Sequence, residues 1–275
     1  MNRAALITLL GAMLAAARGQ EGDGAARARE PSGWALDFAN EPDVAPGGVA
    51  AWAARRGFTA VLGSPVYFFL DQGKLHLVAK PGPIHEQRVR LALTDRERLR
   101  SGLESKVLLR LTTAGFVLDV ARAPRLKIKM APVTLPGQGA DLRDSKRNDS
   151  CFYLLLGFGD PVHDFSGISL PDTLAYVWAD QAWDEQVAGD PEYDAFLRYI
   201  AIGHGSVDLG KIREIVRDAA RDYRLAFPNR STRGRDGHAA AAIPLLRSVS
   251  LMVDANTLET RSESILESIQ FLSAD

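Results

Sequence analysis

Residues 150–158 read SCFYLLLGF, a run with no alternation between apolar and polar side chains. Short, continuously apolar and bounded by turn-forming residues, it has the pattern of a strand buried on both faces. The runs TLAYVWA at 173–179 and FLRYIAI at 196–202 follow it as further strands. Between the first two lies a Gly-, Pro- and Asp-rich connection at 160–172, and 180–194 joins the next pair.

Away from this centre the runs alternate, as strands with one face toward a core do. WALDF at 34–38 alternates. So does KLHLVA at 74–79, which follows an aromatic run at 66–70 and the turn Asp71-Gln72-Gly73, predicting a hairpin with Leu75 and Leu77 on one face and His76 on the other. Residues 86–93 and 107–111 are strand-like. In PRLKIKM at 124–130, Leu126, Ile128 and Met130 share one face, and Arg125, Lys127 and Lys129 the other, which reads as a solvated outer face, with a surface for an anionic ligand as the alternative. Strands at 248–253 and 264–271 flank a last loop holding Asp254, Asn256 and Thr257.

One helix is predicted, over 208–227. Leu209, Ile212, Val216, Ala219, Ala220, Tyr223 and Phe227 recur at steps of three and four, and Pro228 ends the pattern. About ten short strands with one helix predict a mainly β, antiparallel two-sheet β-sandwich. Loss of alternation in the central strands is expected where the helix covers one sheet face.

The beginning of the chain reads as an address. A basic head (Met1-Asn2-Arg3), an apolar stretch at 4–17 and small residues after it match a signal peptide over 1–20. The apolar stretch is shorter than the roughly 20 residues a membrane span needs. An uncleaved anchor or a buried helix is the alternative. Residues 21–31 read as a flexible linker, and 32–275 as a single domain. No transmembrane span is expected after signal removal, and the expected location is the periplasm or the cell exterior. With 33 basic and 34 acidic residues the formal net charge is −1, which gives no field for nucleic acid. Cys151 is the single cysteine, so no internal disulfide can form; in its apolar run it reads as a small core residue.

The five histidines do not fall at metal-ligand spacing, and no phosphate loop, dinucleotide fingerprint or nucleophile elbow is present. Asp160, His163 and Asp164, with His204, are the nearest approach to a metal set; a hydrated loop is the simpler reading. Asp180, Asp184, Glu185, Asp190, Glu192 and Asp194 crowd one loop beside Trp178 and Trp183. Aromatic faces beside carboxylates suit sugars, whose C–H faces stack and whose hydroxyls donate. Trp178, Asp180 and Trp183 are therefore the ligand-binding candidates. Asn148 and Asn229 each begin a glycosylation sequon.

Four stretches carry a family resemblance. They are Asn148-Asp149 before a strand ending at Phe158; Tyr176-Val177-Trp178; Arg217 followed by Asp222-Tyr223 and Phe227; and Asn256-Thr257 followed by Ile269 and Phe271. Over about 144–271 the chain resembles a bacterial exported family, domain-of-unknown-function family 3047. The resemblance implies a jelly-roll, galactose-binding-like sandwich and brings no reaction with it. It singles out a polar cluster of Asp149, Arg217, Asp222, Asp254 and Asn256, expected to be structural, with Arg217 tying the helix to strand ends through a carboxylate. The chain departs from the family at Asn148, Tyr153, Asp218 and Ala255, where the family carries Asp, Arg, Asn and a further acid.

The expected function is a non-catalytic binding module for carbohydrate or another polar envelope component. A glycoside hydrolase or polysaccharide lyase using two loop carboxylates is the enzymatic alternative. A structural partner in an envelope complex is the third. No cofactor is expected, and calcium is the one ion left open.

Overall fold

The computed structural model describes residues 33–45, 48–56, 58–62, 68–79, 106–111, 116–137, 139–165, 168–191, 193–230, 243–255, 258 and 260–274. The leader, the linker, the strand expected at 86–93, His85, His238, Glu192, Asn256 and Thr257 lie outside the described residues. In chain order the elements are β1 (Trp34–Asp37), α1 (Val49–Arg55), β2 (Phe58–Leu62), β3 (Phe68–Asp71), β4 (Lys74–Ala79), β5 (Lys106–Leu111), β6 (Arg125–Thr134), β7 (Ser150–Phe165), β8 (Ile168–Ala179), β9 (Ala188–Gly189), β10 (Leu197–His204), β11 (Arg213–Asp218), α2 (Ala219–Ala226), β12 (Leu246–Asp254) and β13 (Ser262–Leu272).

The strands form two sheets. One runs β11-β6-β13-β4-β3, with β1 also on β13; the other runs β2-β5-β12-β7-β8-β10-β9. Among the described residues all strand pairings are antiparallel except β8 with β10, which run parallel. The protein is a mainly β, two-sheet sandwich. No helix among the described residues is long and apolar enough to cross a membrane.

Alternation decides what lies between the sheets. Leu75 and Leu77 of β4, Leu126, Ile128 and Met130 of β6, and Leu266, Ile269 and Phe271 of β13 point inward from the first sheet. Leu154 and Leu156 of β7, Leu174 and Tyr176 of β8, and Val249, Leu251 and Val253 of β12 meet them from the second. The turn of the β3–β4 hairpin places Gln72 and Gly73 at φ 49° and 70°, the left-handed region that glycine enters at little cost.

The outer face of the second sheet is apolar as well. Tyr153, Leu155, Ala175, Val177, Tyr199 and Met252 lie there, and Leu142, Ala188, Tyr193 and Phe196 cover them. The cover comes from the connections around residue 142 and between β8 and β10, not from a helix. That second apolar layer is why SCFYLLLGF does not alternate. Within the turn-rich connection expected at 160–172, residues 160–165 and 168–172 are strand: β7 runs to Phe165 and β8 starts at Ile168, pairing His163 with Leu170 and Phe165 with Ile168.

The helix expected at 208–227 is corrected to 219–226. Residues 206–210 form turns, with Gly205 and Gly210 at positive φ and the Gly210 N–H donating to the Pro132 carbonyl. Residues 213–218 then pair along β6, from Arg213 opposite Met130 to Asp218 opposite Arg125. Two members of the expected apolar helix face, Leu209 and Val216, are 37% and 49% exposed. The open edge of β6 supplies a ladder of hydrogen bonds that outweighs the helical spacing, and Ile215 and Val216 are β-branched residues suited to it. The helix begins one residue after Asp218, whose side chain accepts from the Arg221 N–H at 2.8 Å as an N-cap. Ala219, Ala220, Tyr223 and Ala226 then enter the core between the sheets.

Candidate functional site

Strand β10 is paired with β8 along its whole length, but β9 covers its other edge only at Arg198 and Tyr199. Beyond that point β10 faces β11, the edge strand of the opposite sheet. A cleft of two adjoining lobes, of about 740 and 790 Å³, lies between them. Ile202, Gly203 and His204 border both lobes. One lobe adds Trp183, Asp184, Glu185 and Gln186 from the loop after β8, together with Arg217, Arg221 and Leu225. The other adds Trp178, Val207, Asp208 and Ile212 to Ile215.

The tryptophans expected to share a ligand have different positions. Trp178 is 3% exposed, and its indole N–H donates to the Gly205 carbonyl at 3.1 Å. Its ring forms floor beneath the β10 irregularity between Ala201 and Gly203. A Cβ at Gly203 would sit 2.3 Å from Trp178 Cζ3, so only glycine lets the strand lie on the ring. Trp183 is half-buried and lines the cleft wall. Asp180 is half-buried on the same loop, and burial pushes its carboxyl pKa above the usual value.

Trp183 is held by Arg143. The Arg143 guanidinium lies over its ring, 5.8 Å from the centroid, a cation–π arrangement. Asp141 grips that guanidinium through Nε at 2.9 Å and Nη2 at 3.0 Å, and Nη1 reaches Glu185 at 3.0 Å. The Arg143 side chain holds the Asp141 carboxyl below its ordinary pKa.

At the far end of the same lobe, Arg217 and Asp222 pair through two hydrogen bonds of 2.9 and 2.8 Å. In one continuous helix residues five apart point about 140° away from each other; the strand-to-helix corner at Asp218 brings these two together. The Tyr176 hydroxyl donates to the same carboxylate at 2.9 Å. The hydrogen bond to Asp222 raises the Arg217 pKa, and burial together with Asp222 raises that of Tyr176. A mirrored contact ties α2 back to β8: the Tyr223 hydroxyl donates to Asp172 at 3.1 Å, with Arg230 at 3.4 Å from that carboxylate.

Asp149 and Asp254, placed by resemblance with Arg217, belong to another site. Both are buried on the outer side of the second sheet, where Asp149 accepts from the Leu258 N–H at 2.7 Å. Burial, Asp254, Tyr199, Asp149 and Asp190 all raise the Tyr153 pKa. Asp190 accepts from the Tyr199 hydroxyl at 2.5 Å and from the Tyr193 N–H at 2.8 Å. Sequence reasoning missed this Tyr–Asp group. Its signal was tyrosines within unbroken apolar runs, each needing a partner for its hydroxyl.

The other loop acids disperse. Asp184 lines the cleft, Glu185 is paired with Arg143, and Asp194 with Arg198 at 2.6 Å. Asp160 pairs with Arg247 at 3.2 Å, and His163 and Asp164 stand on β7. No group of three or more His, Cys, Asp or Glu side chains that could hold a metal is found among the described residues. Cys151 is fully buried and its thiol pKa is pushed up by burial. Of the two sequon asparagines, Asn148 is buried and Asn229 exposed.

No family model matches the chain, and no curated protein matches it. Among solved structures, alginate lyase Aly36B is similar at 10% identity and a TM-score of 0.34, over 89% of this chain and 98% of that one. A double mutant of that lyase with an alginate tetrasaccharide gives 10% identity and a TM-score of 0.35 over the same shares. Another, with an alginate trisaccharide, gives 9% and 0.34.

Proposed function

We propose that this chain is an exported, non-catalytic binding protein that holds a carbohydrate, or another polar component of the cell envelope, in the cleft between β10 and β11. The observation that carries the proposal is the half-buried Trp183, fixed by Arg143 in the cleft wall beside Asp184, Gln186 and Arg221. An indole presents apolar surface to sugar C–H groups, while carboxylate, amide and guanidinium groups exchange hydrogen bonds with hydroxyls. Asp222 and Glu185 are engaged in ion pairs at the same cleft, which favours binding over acid–base chemistry there. Export rests on the leader-like start, and membership of the resembled exported family belongs to the same proposal.

The test is a glycan-array screen of residues 21–275, with and without calcium, repeated with Trp183→Ala. Retention of a glycan that the variant loses by about tenfold or more supports the reading. Retention of none, or equal retention by the variant, sinks it. Dependence on added calcium would assign the ion a role in this site.

A further inference from the structure

Resting on the carbohydrate reading above, we infer that the cleft takes several linked rings of a linear polysaccharide, lying across both lobes, rather than one sugar. The two lobes share Ile202, Gly203 and His204, so they are two halves of one trough along β10. Each has the volume, about 740 or 790 Å³, that accommodates a whole drug-sized molecule, since such sites span roughly 300–1,000 Å³. A single sugar ring would leave most of the combined space to water.

The wall has the matching length. β11 contributes 6 residues to it, about 20 Å at the usual rise of a strand. Apolar side chains are exposed in both halves: Val216 and Leu225 in the Trp183 lobe, and Val207, at 81% exposure, in the other. A chain of sugars offers alternating C–H faces and hydroxyls along such a trough, and each added ring gains contact at little further loss of translational freedom.

The probes are size-fractionated fragments, from one ring to about six, of the polysaccharide the array retains, titrated calorimetrically against the wild-type chain, Val207→Asp and Trp183→Ala. Affinity should rise by at least about tenfold between two rings and five. Val207→Asp should weaken the five-ring fragment by about tenfold and the two-ring fragment by clearly less. The exposure of Val207 allows the substitution without disturbing the core, and an unchanged melting temperature checks this. Equal affinity for all lengths, or an unaltered five-ring affinity in Val207→Asp, overturns the inference while the carbohydrate reading stands. Failure of every glycan to bind the wild-type chain overturns both.

Discussion

The Tyr176 hydroxyl of β8 donates to Asp222 Oδ2 of α2 at 2.9 Å, while the next helix residue, Tyr223, donates back to Asp172 of β8 at 3.1 Å. Each element gives the other one tyrosine and one aspartate. Asp222 has the heavier task, because Arg217 depends on it too. Asp222→Ala should therefore cost about 3 kcal/mol, leaving a buried hydroxyl and a half-buried guanidinium without their acceptor. Tyr176→Phe should cost only about 1 kcal/mol, since the carboxylate keeps both guanidinium bonds. Urea unfolding measures both; equal losses would mean the hydroxyl, and not the ion pair, anchors the helix.

Gly203→Ala places a methyl group against the Trp178 ring, where 2.3 Å is available. Either the ring or β10 must shift, and a cost of roughly 1–3 kcal/mol is expected. Because the same contact is cleft floor, the near-ultraviolet circular dichroism of Trp178 should change with it. A variant of unaltered stability and spectrum would contradict the packing.

Asp141 and Asp180 should respond to pH with opposite signs. The Asp141 pKa is lowered by Arg143, so its contribution is present above the unfolded value of 3.8 and lost as pH falls through the lower folded value. Asp141→Asn should melt below the wild type at neutral pH, the gap narrowing below about pH 4. An unchanged gap across the acid range would show that the charge does not matter.

For Asp180 burial raises the folded pKa, so stability is full below the unfolded value of 3.8 and declines as pH rises through the folded one. Asp180→Asn should accordingly melt above the wild type at neutral pH and converge with it in acid. A neutral-pH loss would instead reveal a partner for the ionised carboxylate.

What was legible in the sequence follows from how locally each strand is determined. β4 and β6 each bury one face, so Leu75 and Leu77, or Leu126, Ile128 and Met130, announce themselves by alternation. β11 does not, because an edge strand needs little burial: Ile215 and Arg217 face inward only partly, and the apolar steps toward Tyr223 imitate a helix. That helix–strand ambiguity is resolved by the open edge of β6, which lies more than 80 residues earlier. The site divides the same way. Trp183 was legible as an aromatic beside acids, whereas Gly203 and His204 enter through the pairing of β10 with β8, and Val207 through the turn after β10. Asp149 and Asp254 were grouped with Arg217 by resemblance, and the packing of the second sheet separates them.

The connection from β8 to β10 has two duties: Trp183 and Glu185 form the cleft rim, while Ala188, Tyr193 and Phe196 roof the outer layer of the second sheet. Widening the trough would lift that roof and wet its aromatic underside. Swinging this rim outward would therefore cost that burial, so the ligand proposed for the cleft would meet finished walls. Association should proceed in a single concentration-dependent phase, without a slower rearrangement behind it.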